Sequence, residues 1–105
     1  MRKIPALAAT CGLLSLPLAH GDVGQLLQIN GCTACHQSAA RIVGPSWQEV
    51  AQRYGDGSKS AEQLAASIRS GGSGKWGAVP MPPQTQLSDA DASSVAEWIL
   101  TTAHP

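Results

Sequence analysis

The chain has 105 residues, seven basic against seven acidic side chains for a formal net charge of zero, and three Trp, one Tyr and no Phe. That length suits one small domain, and the balanced charge gives neither the basic footprint of a nucleic-acid binder nor that of a protein held on an anionic membrane surface. So few large apolar side chains leave a small domain short of core, and such domains need a staple or a cofactor.

The first stretch in chain order is MRKIPALAATCGLLSLPLAHG, residues 1–21. Arg2 and Lys3 precede a largely apolar run from Ile4 to Leu18, and Ala19-His20-Gly21 places small residues where a signal peptidase cuts. Residues 1–21 therefore read as a secretory signal peptide, cleaved after Gly21 with Ala19 as the alternative, and residues 22–105 as the mature domain. The apolar run is short for a spanning helix and is broken by Pro5, Gly12 and Pro17. Cys11 reads as part of it, because the residues before it lack the pattern of a lipidation site. Loss of the leader leaves Cys32, Cys35, His36, His104 and Met81 as soft or imidazole donors. Five basic residues then stand against seven acidic ones, a net charge of −2.

Four helices follow from their punctuation. Asp22 and Gln25 open a short one that carries Leu26, Leu27 and Ile29 and stops at Asn30-Gly31. Ser46 and Glu49, entered through Pro45, open a second through Val50 and Tyr54 to Gly55. Ser60 and Gln63 open a third through Leu64, Ala65 and Ile68, ended by Gly71-Gly72. Ser88 and Asp91 open the last and most periodic, with Ala92, Val95, Trp98, Ile99 and Thr102. No segment alternates as a strand would, so the expectation is an all-α domain. Between the third and fourth helices, GGSGKWGAVPMPPQTQ, residues 71–86, is a long loop rich in Gly and Pro. Loops of this length in small domains are usually functional, and the prolines at 80, 82 and 83 stiffen the path around Met81.

Between the first two helices stands NGCTACHQSAARIVGP. Cys32, Cys35 and His36 could be a zinc half-site, a redox dithiol, a disulfide or a haem attachment point. Zinc would need adjacent Cys35 and His36 to turn to one ion, with only His104 as a fourth donor. A thioredoxin-like dithiol would sit in a strand-helix-strand unit, and no strands are evident. A disulfide across so small a loop stabilises little. A haem accounts for more. Two thiols on one turn reach the two vinyl groups, the next residue offers its imidazole to the iron, and attachment outside the cytoplasm agrees with the leader. Met81, on its stiff loop, is the remaining thioether for the sixth position, ahead of His104. His/Met ligation leaves no open site and favours the ferrous state, which points to electron transfer rather than catalysis.

In GCTACH, RIVGPSWQEVA, GSGKWGAVPMPP and LSDADASSVAEWIL the chain resembles the small bacterial class I c-type cytochromes of the c-551 type, across essentially the whole mature part. The resemblance implies the class I cytochrome c fold, four to five short helices wrapped around one covalently attached haem c. Cys32 and Cys35 would form the thioethers, and His36 and Met81 would be the iron ligands. The carbonyl of Pro45 would accept the proton on the other imidazole nitrogen, Trp76 would aim its indole N–H at a haem propionate, and Arg69 would lie near the propionates as counter-charge. Trp47 and Tyr54 read as packing, and Trp98 as the contact of the last helix with Leu26, Leu27 and Ile29 of the first. Where such proteins often carry an asparagine that bonds the methionine ligand, this chain has Gln84.

The function implied is that of a periplasmic, monomeric carrier of single electrons between donors such as a cytochrome bc complex and acceptors such as an oxidase or nitrite reductase. It would act through transient contacts with redox proteins, without nucleic acid or membrane insertion. Docking would centre on the exposed haem edge near Ala34, Val79 and Pro80, with little salt dependence. The alternatives are a cytochrome subunit of a periplasmic dehydrogenase and a ligand-binding haem protein in which Met81 dissociates.

Overall fold

The computed structural model describes residues 2–5, 12 and 22–102. The leader cleavage point, Cys11 and His104 lie outside the described residues. Four α-helices carry the fold: α1 Val23–Ile29, α2 Trp47–Tyr54, α3 Ala61–Ser70 and α4 Asp89–Thr101. A single 3-10 turn, Cys32–Ala34, follows α1. Among the described residues the only β pairing is an isolated antiparallel bridge between Gly72 and Met81.

The helices start where short polar side chains satisfy orphan amides. Ser46 and Ser60 each close a reciprocal box, with Glu49 and with Gln63. Ser88 accepts from the Asp91 amide at 3.0 Å. Asp22 caps α1, but by accepting from the Gly24 amide rather than by pairing with Gln25.

Helix α4 is the hub and packs against α1, α2 and α3. Ala92 and Ala96, one turn apart, have no exposed surface; their small side chains let neighbouring backbones approach closely. Around them lie Leu26 and Leu27 of α1, Val50 and Ala51 of α2, and Leu64, Ala65 and Ile68 of α3.

One expected contact differs. Ile29 is 81% exposed, because at about 100° per residue it stands about 110° round the helix from the midpoint of Leu26 and Leu27. Trp98 packs against the buried cluster that holds Leu26 and Leu27 and also meets Trp47 of α2, edge to face with ring centroids 5.7 Å apart.

Candidate functional site

The 3-10 turn puts Cys32 and Cys35 on one short arc, closed by hydrogen bonds from the Cys35 and His36 amides to the Cys32 carbonyl at 3.1 and 2.9 Å. The chain then folds back on itself. The Gly44 amide donates to the Cys35 carbonyl at 2.8 Å and the Trp47 amide to the Gln37 carbonyl at 2.9 Å, which presents Pro45 and the start of α2 to His36. The imidazole stacks on Trp47 with centroids 4.7 Å apart and planes 22° from parallel. A Cβ on Gly44 would fall 2.8 Å from His36 Cε1, so only glycine lets the return strand pass so close.

His36 Nδ1 lies 2.7 Å from the Pro45 carbonyl oxygen. A carbonyl can only accept, so Nδ1 carries the proton and Nε2 presents its lone pair. Cys32 and Cys35 are free of disulfide bonding. Burial pushes the Cys32 thiol above its ordinary value, a backbone hydrogen bond opposes this and Cys35 adds to the rise. Among the described residues no three His, Cys, Asp or Glu side chains come together in a group that could hold a metal ion.

Opposite stands the loop that carries Met81. Met81 donates its amide to the Gly72 carbonyl at 2.8 Å and accepts from the Gly72 amide at 3.0 Å, so both backbone groups of this residue are fixed to the end of α3. The stem of the loop is tied to α2. Arg41 gives Nη1 to the Trp76 carbonyl at 2.8 Å while its Nε and Nη2 engage Glu49 Oε2. Arg53 gives Nη1 to the Lys75 carbonyl at 2.6 Å and lies 4.3 Å over the Trp76 ring. The Ser46 amide, followed by Arg41, holds the Glu49 carboxyl below its ordinary value.

Between these two walls is a cavity of about 390 Å³, lined among others by Cys32, Cys35, His36, Met81, Pro45 and Trp76. Every helix but α1 contributes to it, with Val95 and Ile99 of α4 as its floor. At its mouth Val43 and Val79 are 49% and 62% exposed. Six of the seven residues singled out in the sequence thus share one cavity.

Arg69 is the exception and a correction. It is not on the cavity; its Nε donates to the Leu87 carbonyl at 3.1 Å and its Nη1 pairs with the Asp89 carboxylate. On α3 the cavity takes Leu64, Ser67 and Ile68, and the residue after Ile68 is turned about 100° further round, onto the flank that meets α4. The sequence reading passed over Lys59 and Ser67, which do line the cavity and are joined by a hydrogen bond from Lys59 Nζ to Ser67 Oγ at 2.8 Å. Gln84 also borders it, yet its amide donates to the Pro82 carbonyl at 2.9 Å and accepts from Gln86, turning inward on its own loop rather than to the Met81 sulfur.

Residues 22–103 match the sequence profile of the family described as Cytochrome c. Cytochrome c-552 of Nitrosomonas europaea is 44% identical over 93 residues, 89% of each chain. Cytochrome c-551 of Azotobacter vinelandii is 47% identical over 77 residues, 73% of this chain and 93% of that one. The crystal structure of wild-type Nitrosomonas europaea cytochrome c552 superposes with a TM-score of 0.71 at 46% identity, over 74% of this chain and 96% of that chain.

Proposed function

Since the chain belongs to the cytochrome c family, as a small class I c-type cytochrome, we propose that it is an exported carrier of single electrons whose one covalent haem c is joined to Cys32 and Cys35 and ligated by His36 and Met81. The cofactor is haem c and the protein is an electron carrier, not an enzyme. When bound, the haem supplies a reversible one-electron couple between ferrous and ferric iron.

The residues present fit that group. An apolar cavity of about 390 Å³ is lined together by Cys32, Cys35, His36 and Met81, within the size range of cofactor pockets. The observation that carries the reading is the bond from His36 Nδ1 to the Pro45 carbonyl: it selects the tautomer whose Nε2 can bind iron and raises the basicity of that nitrogen. Trp47 holds the ring plane from the other side. His36 and Met81 would hold the iron, and the soft thioether of Met81 would favour the ferrous state, which suits a carrier of single electrons. Trp76 supplies an indole N–H at the cavity wall for a haem propionate. The exposed Val43 and Val79 at the mouth, with Ala34 and Pro80, suit brief contacts with redox partners, since small and weakly polar contact areas favour fast exchange.

Export rests on the leader read in residues 1–21. No helix among the described residues is long and apolar enough to cross a membrane. A monomer in the periplasm, exchanging electrons with respiratory donors and acceptors, is the working arrangement.

The test is the visible spectrum of protein made where haem-attachment machinery is present. The wild type should carry covalent haem with the weak red absorption of iron–thioether ligation, and Met81→Ala should lose that absorption and bind carbon monoxide when reduced. A wild type that binds carbon monoxide rapidly would instead be a ligand-binding haem protein, and a colourless one a binding module without haem.

A further inference from the structure

Cations and rings alternate beside the cavity: Tyr54, Lys59, Lys75 and Trp76 line it, and Arg53 stands next to them. The Arg53 guanidinium lies over Trp76, the Tyr54 ring meets Trp76 edge to face at 6.1 Å, and Lys59 Nζ stands 5.0 Å from the Tyr54 ring centre. Lys75, tied through its carbonyl to Arg53, adds a third positive charge close enough for Lys59 to feel it. Like charges gathered this way repel, and a solvated face would normally disperse them or pair them with acids.

No acid does so. The ion pairs formed among the described residues join Arg41 to Glu49 and Arg69 to Asp89, leaving Arg53, Lys59 and Lys75 without a carboxylate partner there. Lys59 is also only partly exposed. Ser67 Oγ takes one of its three N–H donors, and Ser67 directs its own hydroxyl to the Gln63 carbonyl at 3.2 Å. Burial first, then Lys75 and Arg53, hold the ammonium below the ordinary lysine value. A partly desolvated cation among other cations is costly unless something negative completes the site.

We propose that Lys59, flanked by Arg53 and Lys75, is the positive site for a carboxylate of the bound haem, and that Ser67 fixes its ammonium against the cavity wall. The inference rests on the haem reading above, and it gives Lys59 the role that the sequence suggested for Arg69. An ammonium that meets an anionic carboxylate here would be paired, hydrogen-bonded and partly shielded from water, where such a contact is worth more than at a free surface. Placed beside the cofactor, the same charge opposes the extra positive charge of ferric iron.

The test uses the intact haem protein. At a fixed applied potential, Lys59→Met should move the ferric-to-ferrous ratio towards ferric by about three- to tenfold, Lys59→Arg should restore most of the wild-type ratio, and Arg69→Met should leave it unchanged. In the reduced, diamagnetic wild type, nuclear Overhauser contacts should join the Lys59 side-chain methylenes to the propionate methylenes of the haem, which decides the matter even if a variant fails to accumulate. An unchanged ratio in Lys59→Met, an equal shift in Arg69→Met, or absence of those contacts overturns the assignment. A change confined to the salt dependence of electron exchange would make the cluster a docking patch for an acidic partner, and also overturns it. Each of these leaves the haem reading intact, whereas wild-type protein without covalent haem would overturn both.

Discussion

At Gly71 one missing carbon atom decides where Met81 can sit. The residue holds φ at +65° and a Cβ there would overlap the Met81 carbonyl oxygen and stand 2.7 Å from the Pro83 nitrogen. Gly71→Ala should therefore cost at least about 1–3 kcal/mol, as steric clash adds to left-handed strain, and should weaken the red thioether absorption of the haem protein. A denaturant midpoint and a spectrum recorded on the same sample check both parts. At this scale much of the site was legible. Cys32, Cys35 and His36 are adjacent in sequence, and Met81 is marked by the prolines around it. What the sequence could not give was azimuth. Arg69 and Ser67 stand on the same turn of α3, and which of them faces the cavity depends on how the helix is rotated against α4. Lys59 was hidden for another reason: it precedes its helix, and only the close approach of its chain end to Ser67 brings it to the wall.

Helix α2 is the element that couples the two walls, since its first residue supports His36 and its later residues anchor the Trp76 stem. Its N-terminus depends on Ser46, which is fully buried, accepts from the Glu49 amide at 3.0 Å and donates its own amide to Glu49 Oε1 at 3.2 Å. Ser46→Ala should cost about 1–2 kcal/mol, towards the upper end of capping losses because no water can replace the lost acceptor; thermal unfolding of the haem protein measures it. The capping pairs Ser46 with Glu49 and Ser60 with Gln63 were readable because that chemistry is local. Ile29 falls outside the core because an apolar residue near a helix end fits two faces, and only tertiary packing chooses between them.

For the molecule as a whole, the core and the cavity share their residues. Val95 and Ile99 belong to the buried cluster and also floor the cavity, so the helices close around whatever fills it. A Cys32→Ala, Cys35→Ala double variant made without covalent haem should melt lower by about 15 °C or more, the equivalent of at least about 3 kcal/mol for a domain of this size, with reduced far-ultraviolet helix signal at room temperature. A variant that keeps the wild-type melting temperature would show that the helices are self-sufficient. The Gly72–Met81 bridge has one further consequence. The amide and the carbonyl of Met81 are both held by Gly72, just past the end of α3, so on the proposed ligation the backbone that carries the thioether would stay in place as an electron arrives or departs, which would keep the accompanying nuclear rearrangement small. The rate of self-exchange between two copies would then be set by how closely their cofactors approach, not by the motion of a ligand.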